Sequence, residues 1–281
     1  MNDPEPNKNP ETPLDRNAYR HCPPDMQRMR IHVSYDGTDF SGWQRQTRHP
    51  SIQGHIEKAL STVFNSPIRV LGASRTDAGV HAYRQVAHFD AQQHSEGRDL
   101  RYALQCLTPP SIVIDEIWHA PADFHAIACV TDKIYKYRVL NRKVPCPLRY
   151  RYSHWVRYPL DLDFLSEASS FLLGKQDFKS FQTTGTVVQT TERTISEATW
   201  TRTDDDILEF TIRGDGFLKQ MIRNIVGTLI ELNQRQLEPQ SIKKIIEMRD
   251  RRKAGPTAPP QGLFLYRVNY PESVDNKCRK L

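Results

Sequence analysis

Residues 28–35, Arg-Met-Arg-Ile-His-Val-Ser-Tyr, alternate polar and apolar side chains. That two-residue period predicts a strand with one face toward a core, and Asp36-Gly37 ends it with turn chemistry. The period then changes. Ile52, Ile56, Leu60, Val63 and Phe64 recur at helical spacing behind Ser51, a residue suited to capping a helix N-terminus. Asn65-Ser66-Pro67 breaks that helix. Residues 68–73 and 85–89 predict strands, 100–107 a helix ended by Pro109-Pro110, and 111–119 a strand. Further on the order returns. Residues 132–140 alternate as a strand, and 162–173 form an amphipathic helix closed by Gly174. Residues 194–201 and 207–213 predict two strands joined by a turn at 203–206. A strongly apolar helix over 217–233, a further helix over 240–249 and a strand over 263–270 complete the chain.

Each half thus reads strand–helix–strand–strand–helix–strand, the split-βαβ order. The predicted class is α+β: two ferredoxin-like halves, residues 28–128 and 129–275, with largely antiparallel sheets side by side, helices packed on one face and a cleft between the halves. No repeat of sequence accompanies the repeat of order. Residues 141–160, rich in Arg and Tyr, form a connection or an edge. Residues 1–27 hold six prolines among polar side chains, too little apolar surface to offset the entropy of ordering, and predict a disordered tail. Residues 276–281 are expected to be a short C-terminal tail.

Composition adds bounds. Over 281 residues, 38% hydrophobic and 26% charged content supplies a sizeable core and excludes a wholly disordered or collagen-like chain. The formal net charge is +6. Residues 1–27 carry Lys8, Arg16 and Arg20 against Asp3, Glu5, Glu11, Asp15 and Asp25, a charge of −2 that leaves +8 on the rest. A basic body suits a polyanion such as nucleic acid. The five cysteines (Cys22, Cys106, Cys129, Cys146, Cys278) contain no CxxC pair. That argues against a zinc ribbon, a thioredoxin motif or a stapled secreted domain. The N-terminus lacks the apolar core of a signal peptide, and no apolar run approaches the roughly 18 residues of a membrane span. A cytoplasmic, membrane-free protein is the expectation.

One stretch carries candidate chemistry: Leu71-Gly-Ala-Ser-Arg-Thr-Asp-Ala-Gly-Val-His-Ala82. It follows a predicted strand, and Gly72 and Gly79 permit bends and close approach. Arg75 and Asp77 lie two apart, on one face if the backbone is extended. A neighbouring arginine keeps a carboxylate ionised, and an ionised, positioned Asp serves as nucleophile, base or metal ligand. The plainer alternative is a loop carboxylate capping its own turn. A second signal is Arg223, a charge among Met221, Ile222, Ile225, Val226, Leu229 and Ile230. A cation there is costly unless paired, so Arg223 is expected to point at a carboxylate, with Asp77 the candidate. Weaker signals are set aside. Asp204-Asp205-Asp206 stands where a hairpin turn is needed, Gly214-Asp215-Gly216 lacks a third glycine, and His81 and His88 lack ligand spacing.

Arg75-Thr-Asp-Ala-Gly-Val-His81 resembles the signature of the TruA family of tRNA pseudouridine synthases. Further similarities run in order: residues 35–46 (Tyr-Asp-Gly-Thr-Asp-Phe-Ser-Gly-Trp-Gln-Arg-Gln), 85–89, Phe124-His125 before Lys133-Ile-Tyr-Lys-Tyr137, Phe178-x-x-Phe181, residues 221–227, and 262–265 leading to Tyr270-Pro271. One departure is visible. The family usually has Gly before Arg-Thr-Asp where this chain has Ser74, for which a small cost in loop flexibility and no loss of chemistry is expected.

The resemblance implies isomerisation of uridine to pseudouridine in the tRNA anticodon stem-loop, at positions 38–40, by a homodimer that uses no metal, nucleotide or redox cofactor. It implies Asp77 as the nucleophile, attacking either the ribose or the uracil ring. Tyr135 would face the uracil and help remove the C5 proton, Arg75 would occupy space near the flipped base, and Arg223 would pair with Asp77. Without the resemblance, Tyr135 reads as a half-buried strand tyrosine. Candidates to track RNA phosphates are Arg45, Arg149, Arg151 and the run Arg251-Arg252-Lys253. A rival reading is an RNA-binding module with the fold and the basic cleft but no turnover. A hydrolase or metal enzyme built on Asp77 and the acidic turn finds no supporting ligand spacing.

Overall fold

A computed structural model describes residues 21–92, 99–185, 188–204 and 206–281. Most of the predicted N-terminal tail, residues 1–20, and Asp205 of the predicted acidic turn lie outside the described residues. In chain order the first part holds β1 (Gln27–Tyr35), α1 (Ile52–Phe64), β2 (Leu71–Gly72), β3 (His81–Ala91), α2 (Leu100–Leu107) and β4 (Ile112–His119). The second part holds β5 (Asp132–Asn141), β6 (His154–Val156), α3 (Leu162–Ser170), β7 (Gly174–Asp177), β8 (Glu192–Asp204), β9 (Ile207–Gly214), α4 (Met221–Gln234), α5 (Ser241–Met248) and β10 (Leu263–Asn269). Two short elements follow, α6 (Glu272–Asp275) and β11 (Arg279–Lys280).

The fold is α+β with one large, mostly antiparallel sheet in the order β11-β4-β1-β3-β10-β5-β9-β8-β7, with β2 also on β3 and β6 on β5. The sheets of the two parts are therefore continuous. They join where β10 runs parallel to β3, Phe264 opposite His81 and Leu265 opposite Ala82. β10 then pairs antiparallel with β5, Leu265 opposite Tyr135. This junction matters for function, because it sets Tyr135 of β5 one strand away from the end of the loop that enters β3.

The alternation in β1 has a different outcome from a half-exposed strand. Met29, Ile31, Val33 and Tyr35 are buried on one face, as the pattern predicts, but Arg28, Arg30 and His32 are buried on the other. Each of the three has a partner close by, although among the described residues Arg30 Nε and His32 Nε2 are left without a hydrogen bond. Arg28 pairs with Asp90, the Arg30 guanidinium lies over the Tyr270 ring at 4.6 Å and bonds Asp275, and His32 contacts Glu116 at 2.7 Å. The residues following β10 supply part of that cover. Residues 276–281, expected as a tail, include β11, which pairs with β4, and Lys280 reaches Glu116 at 2.6 Å.

Other differences are local. The strand predicted over 68–73 shrinks to β2, and the helix predicted from 217 begins at Met221 after Gln220, whose φ of 59° is left-handed. That late start puts Arg223 in the first helical turn. α1 begins as predicted, the Ser51 hydroxyl accepting the Gly54 N–H at 3.3 Å. All five cysteines are free thiols. Among the described residues no helix is long and apolar enough to cross a membrane.

Candidate active site

The loop between β2 and β3 is tied down at nearly every residue. Lys133 Nζ donates to the Ala73 carbonyl at 2.8 Å. Gln85, fully buried, grips the backbone of Ser74 from both sides: its Nε2 donates to the carbonyl at 2.6 Å and its Oε1 accepts the N–H at 3.2 Å. The hydroxyls of Tyr35 and Thr76 share a hydrogen bond of 2.8 Å. The Trp43 N–H donates to the Thr76 carbonyl at 3.1 Å. Gly42 makes that approach feasible. Its φ is 95°, and a Cβ there would meet the Thr76 oxygen at 2.5 Å. Asp77 thus stands on a fixed platform rather than a mobile loop.

Arg223 comes from the other part of the chain. Its Nη1 donates to Asp77 Oδ2 at 3.1 Å and its Nε to the Ala258 carbonyl at 2.8 Å. Ala258 returns the contact, its N–H donating to the Arg223 carbonyl at 3.0 Å. The segment carrying Ala258 lies directly on α4 because Gly227 leaves room; a Cβ at 227 would sit 1.8 Å from the Pro256 oxygen. Asn224 and Thr228 hold the same segment, the Asn224 side-chain oxygen accepting from Thr257 at 2.6 Å and the Thr228 hydroxyl accepting the Gly255 N–H at 2.9 Å. The cost of a cation in an apolar helix is met by a carboxylate 146 positions away. Arg223 is 11% exposed and Asp77 25%, so the carboxylate is reachable while the cation behind it is nearly covered. Among the described residues Asp77 Oδ1 has no side-chain partner.

Tyr135 lies beside them. Its hydroxyl is 2.7 Å from Ser74 Oγ, and its ring meets Phe217 edge-on at 5.2 Å. Burial pushes the phenol up to about 12, with the negative charge of Asp77 acting in the same direction and the Ser74 hydrogen bond opposing it. Burial pushes Tyr35 upward as well. Both phenols are neutral near pH 7, so they act as hydrogen-bonding and stacking groups. Arg75 is exposed and has no partner among the described residues, so the cation that holds Asp77 is Arg223 rather than its near neighbour in sequence. A fixed carboxylate with one oxygen open, a cation behind it and a buried phenol nearby can attack a substrate atom or take a proton from it.

The sequence profile of the tRNA pseudouridine synthase family matches residues 31–127 and 168–271. A tRNA pseudouridine synthase A of Bdellovibrio bacteriovorus is 48% identical over 259 residues, covering 90% of this chain and 99% of the relative. One from Brevibacillus brevis is 42% identical, covering 87% and 100% respectively, and one from Bacteroides thetaiotaomicron is 42% identical, covering 89% and 93%. The chain belongs to the tRNA pseudouridine synthase family.

Ser74, Arg75 and Asp77 fall in the first segment matched to the family and Arg223 in the second, while Tyr135 falls between them. The basic candidates divide. Arg45 is exposed on the loop whose Trp43 holds Thr76, and contacts Glu57 at 3.3 Å. The Arg151 carbonyl accepts from His81 Nε2 at 3.0 Å, just past the Asp77 loop, and its guanidinium lies over the Tyr150 ring. Arg149 precedes it on the same segment. Arg252 and Lys253 are exposed, Arg252 against Asp250. Arg251 differs from the expectation. Its Nη1 donates to the carbonyls of Ala254 and Gly255 and its Nη2 to Asn224 and Thr257, so its fork is committed to holding the segment on α4. Of the acidic turn, Asp206 is paired with Arg142 at 3.1 Å.

Sequence reasoning did not find Gln85, Lys133, Tyr35, Thr76 or the Ala258 carbonyl as parts of the site. Lys133 had a signal: it lies two positions from Tyr135 on a strand, hence on the same face. Gln85 opens the stretch 85–89 that resembles the family, though with no role attached, and Ala258 had no signal, since its role depends on how distant segments dock.

Proposed function

We propose that this chain isomerises uridine to pseudouridine in tRNA, at positions 38–40 of the anticodon stem-loop, with Asp77 as the nucleophile. The reaction breaks the bond between N1 and C1′ and makes one between C5 and C1′; the C5 hydrogen leaves to solvent and N1 takes up a proton. The observation that carries the reading is the Asp77 carboxylate, anchored through Oδ2 by Arg223 with Oδ1 open beside Tyr135, in a chain of this family. Arg223 keeps the Asp77 carboxylate aimed, whether the first attack is on the ribose or on the uracil. Tyr135 offers its face to the flipped base and its hydroxyl for the C5 proton. Arg75, exposed and unpaired, fills the space the base leaves and meets its phosphates, offsetting the few kcal/mol that flipping costs. Arg45, Arg149, Arg151, Arg252 and Lys253 track the RNA backbone; Arg251 is left out because its donors are in use. No resident cofactor takes part.

The reading extends to the scaffold and the setting. Each half is a split-βαβ unit, supported by the strand orders β4-β1-β3-β2 and β10-β5-β9-β8, with residues 28–128 and 129–275 as the two halves. The working form is a cytoplasmic homodimer, one tRNA touching both copies, on the strength of the resemblance.

The test is tritium release from tRNA carrying C5-tritiated uridine. Wild type is expected to release it and Asp77→Asn not, with tRNA binding retained by both. Salt-sensitive tRNA binding without release by wild type would leave an RNA-binding module instead.

A further inference from the structure

The hydroxyl at position 74 has a single use in the structure. Ser74 Oγ lies 2.7 Å from the Tyr135 hydroxyl, and it is the phenol's only hydrogen-bond partner among the described residues. Neither group is free to drift. The Ser74 backbone is gripped on both sides by buried Gln85, the preceding carbonyl is held by Lys133, and the Ala73 N–H donates to the Val86 carbonyl at 2.8 Å. The Tyr135 ring is wedged against Phe217 and buried to 5% exposure. Two of the tethers, Lys133 and Tyr135, come from one face of β5, so the strand meets the loop at two adjacent residues, Ala73 and Ser74. A buried phenol with one partner has its O–H rotor set by that partner, and a partner with a locked backbone sets it to one direction.

We propose that Ser74 is a positioning residue for the reaction, its hydroxyl fixing where the Tyr135 O–H points when the target base arrives. This rests on the reading above, in which Tyr135 meets the uracil. A glycine at this position would leave the phenol without a side-chain partner from the loop.

The test uses the full chain with tRNA and compares wild type with Ser74→Ala and Ser74→Thr, the second retaining a hydroxyl. One hydrogen bond of this kind corresponds to about tenfold in rate. Ser74→Ala is expected to lower kcat for tritium release by about that factor, with KM for tRNA unchanged and Tm lowered by no more than the loss of one hydrogen bond. The ¹³Cζ resonance of Tyr135, in protein labelled at tyrosine, is expected to move. Ser74→Thr should restore the resonance and most of the rate. In a Tyr135→Phe background, Ser74→Ala should cost nothing further. An unchanged kcat in Ser74→Ala overturns the proposal, as does a lowered kcat with an unmoved Tyr135 resonance, or an equal loss in the Tyr135→Phe background. Failure of the underlying reading looks different, since wild type itself would then release no tritium.

Discussion

Of the arginine–aspartate pairs that bridge distant parts of this chain, two are built to opposite designs. Arg28 and Asp90 meet through two parallel bonds of 2.8 Å, Nε to Oδ1 and Nη2 to Oδ2, while Arg28 Nη1 donates to the carbonyls of Ala122 and Phe124. Their side chains are 0% and 9% exposed. Both carboxylate oxygens are taken, and nothing is left to react. Arg223 meets Asp77 through one bond of 3.1 Å, gives its Nε to a backbone carbonyl, and leaves Oδ1 open on a side chain 25% exposed. A saturated pair fixes structure; a pair left one bond short, with the carboxylate partly exposed, keeps an oxygen available for chemistry. Residue types alone do not separate the two.

The sharpest way to break the contrast is Asp77→Asn. The amide fills the same space but is a poor nucleophile, so tritium release should fall by about 10⁴-fold or more while the urea midpoint stays near wild type. The corresponding insult to the other pair should do the reverse. Arg28→Met leaves Asp90 buried without its partner and should destabilise the fold by about 3–5 kcal/mol in urea titration, with activity per folded molecule unchanged. Equal activity losses in the two variants would mean that the structural pair also reaches the reaction.

Arg223→Leu is intermediate. It removes one preorganised charge from the reacting centre, and a loss of about 10²-fold in kcat is expected. A protein that keeps wild-type turnover with leucine there would show that Asp77 needs no cation behind it.

The smallest effect is a dependence on pH, and it belongs to the Arg28 side. His88 is buried with Nδ1 accepting the Ala126 N–H, and burial first, then the Arg28 charge, lower its pKa to about 3. Below its usual value of about 6.5 the unfolded chain takes a proton that the folded chain refuses, so stability declines as pH falls from there toward 3. Between pH 7 and 5 this amounts to about 2 kcal/mol, checked by urea midpoints at both values. His88→Gln should remove that share of the dependence and leave the shares of His32 and His154, both lowered to about 4 by burial.

Much of this was legible beforehand, and for stateable reasons. The two-residue period marked β1, β5 and β9, the helical period behind Ser51 marked α1, and both are local signals that need no knowledge of the rest of the chain. Arg223 was legible because a charge in an apolar helix demands a partner whatever the fold. The alternation of β1 misled for a related reason: Arg28, Arg30 and His32 look like a solvent face, and only the cover from around Phe124 and from residues after β10 turns them inward. Arg251 looked like a free cation in a basic run, and the docking of its segment on α4 consumed its donors.

Local pattern located the longer strands and helices but not the short β6, β7, α6 and β11, placed Asp77 on a loop after a strand, and required a carboxylate for Arg223. The tertiary structure decided the partners that no local pattern named, Asp90 for Arg28 at 62 positions and Tyr135 for Ser74 at 61, and it brought Asp77, already the candidate, to Arg223 across 146. Periodicity and the cost of burying one group are properties of neighbouring residues and are written in the chain. Which two groups meet depends on strand register and on the parallel junction of β3 with β10, and those are set by the packing of the whole sheet.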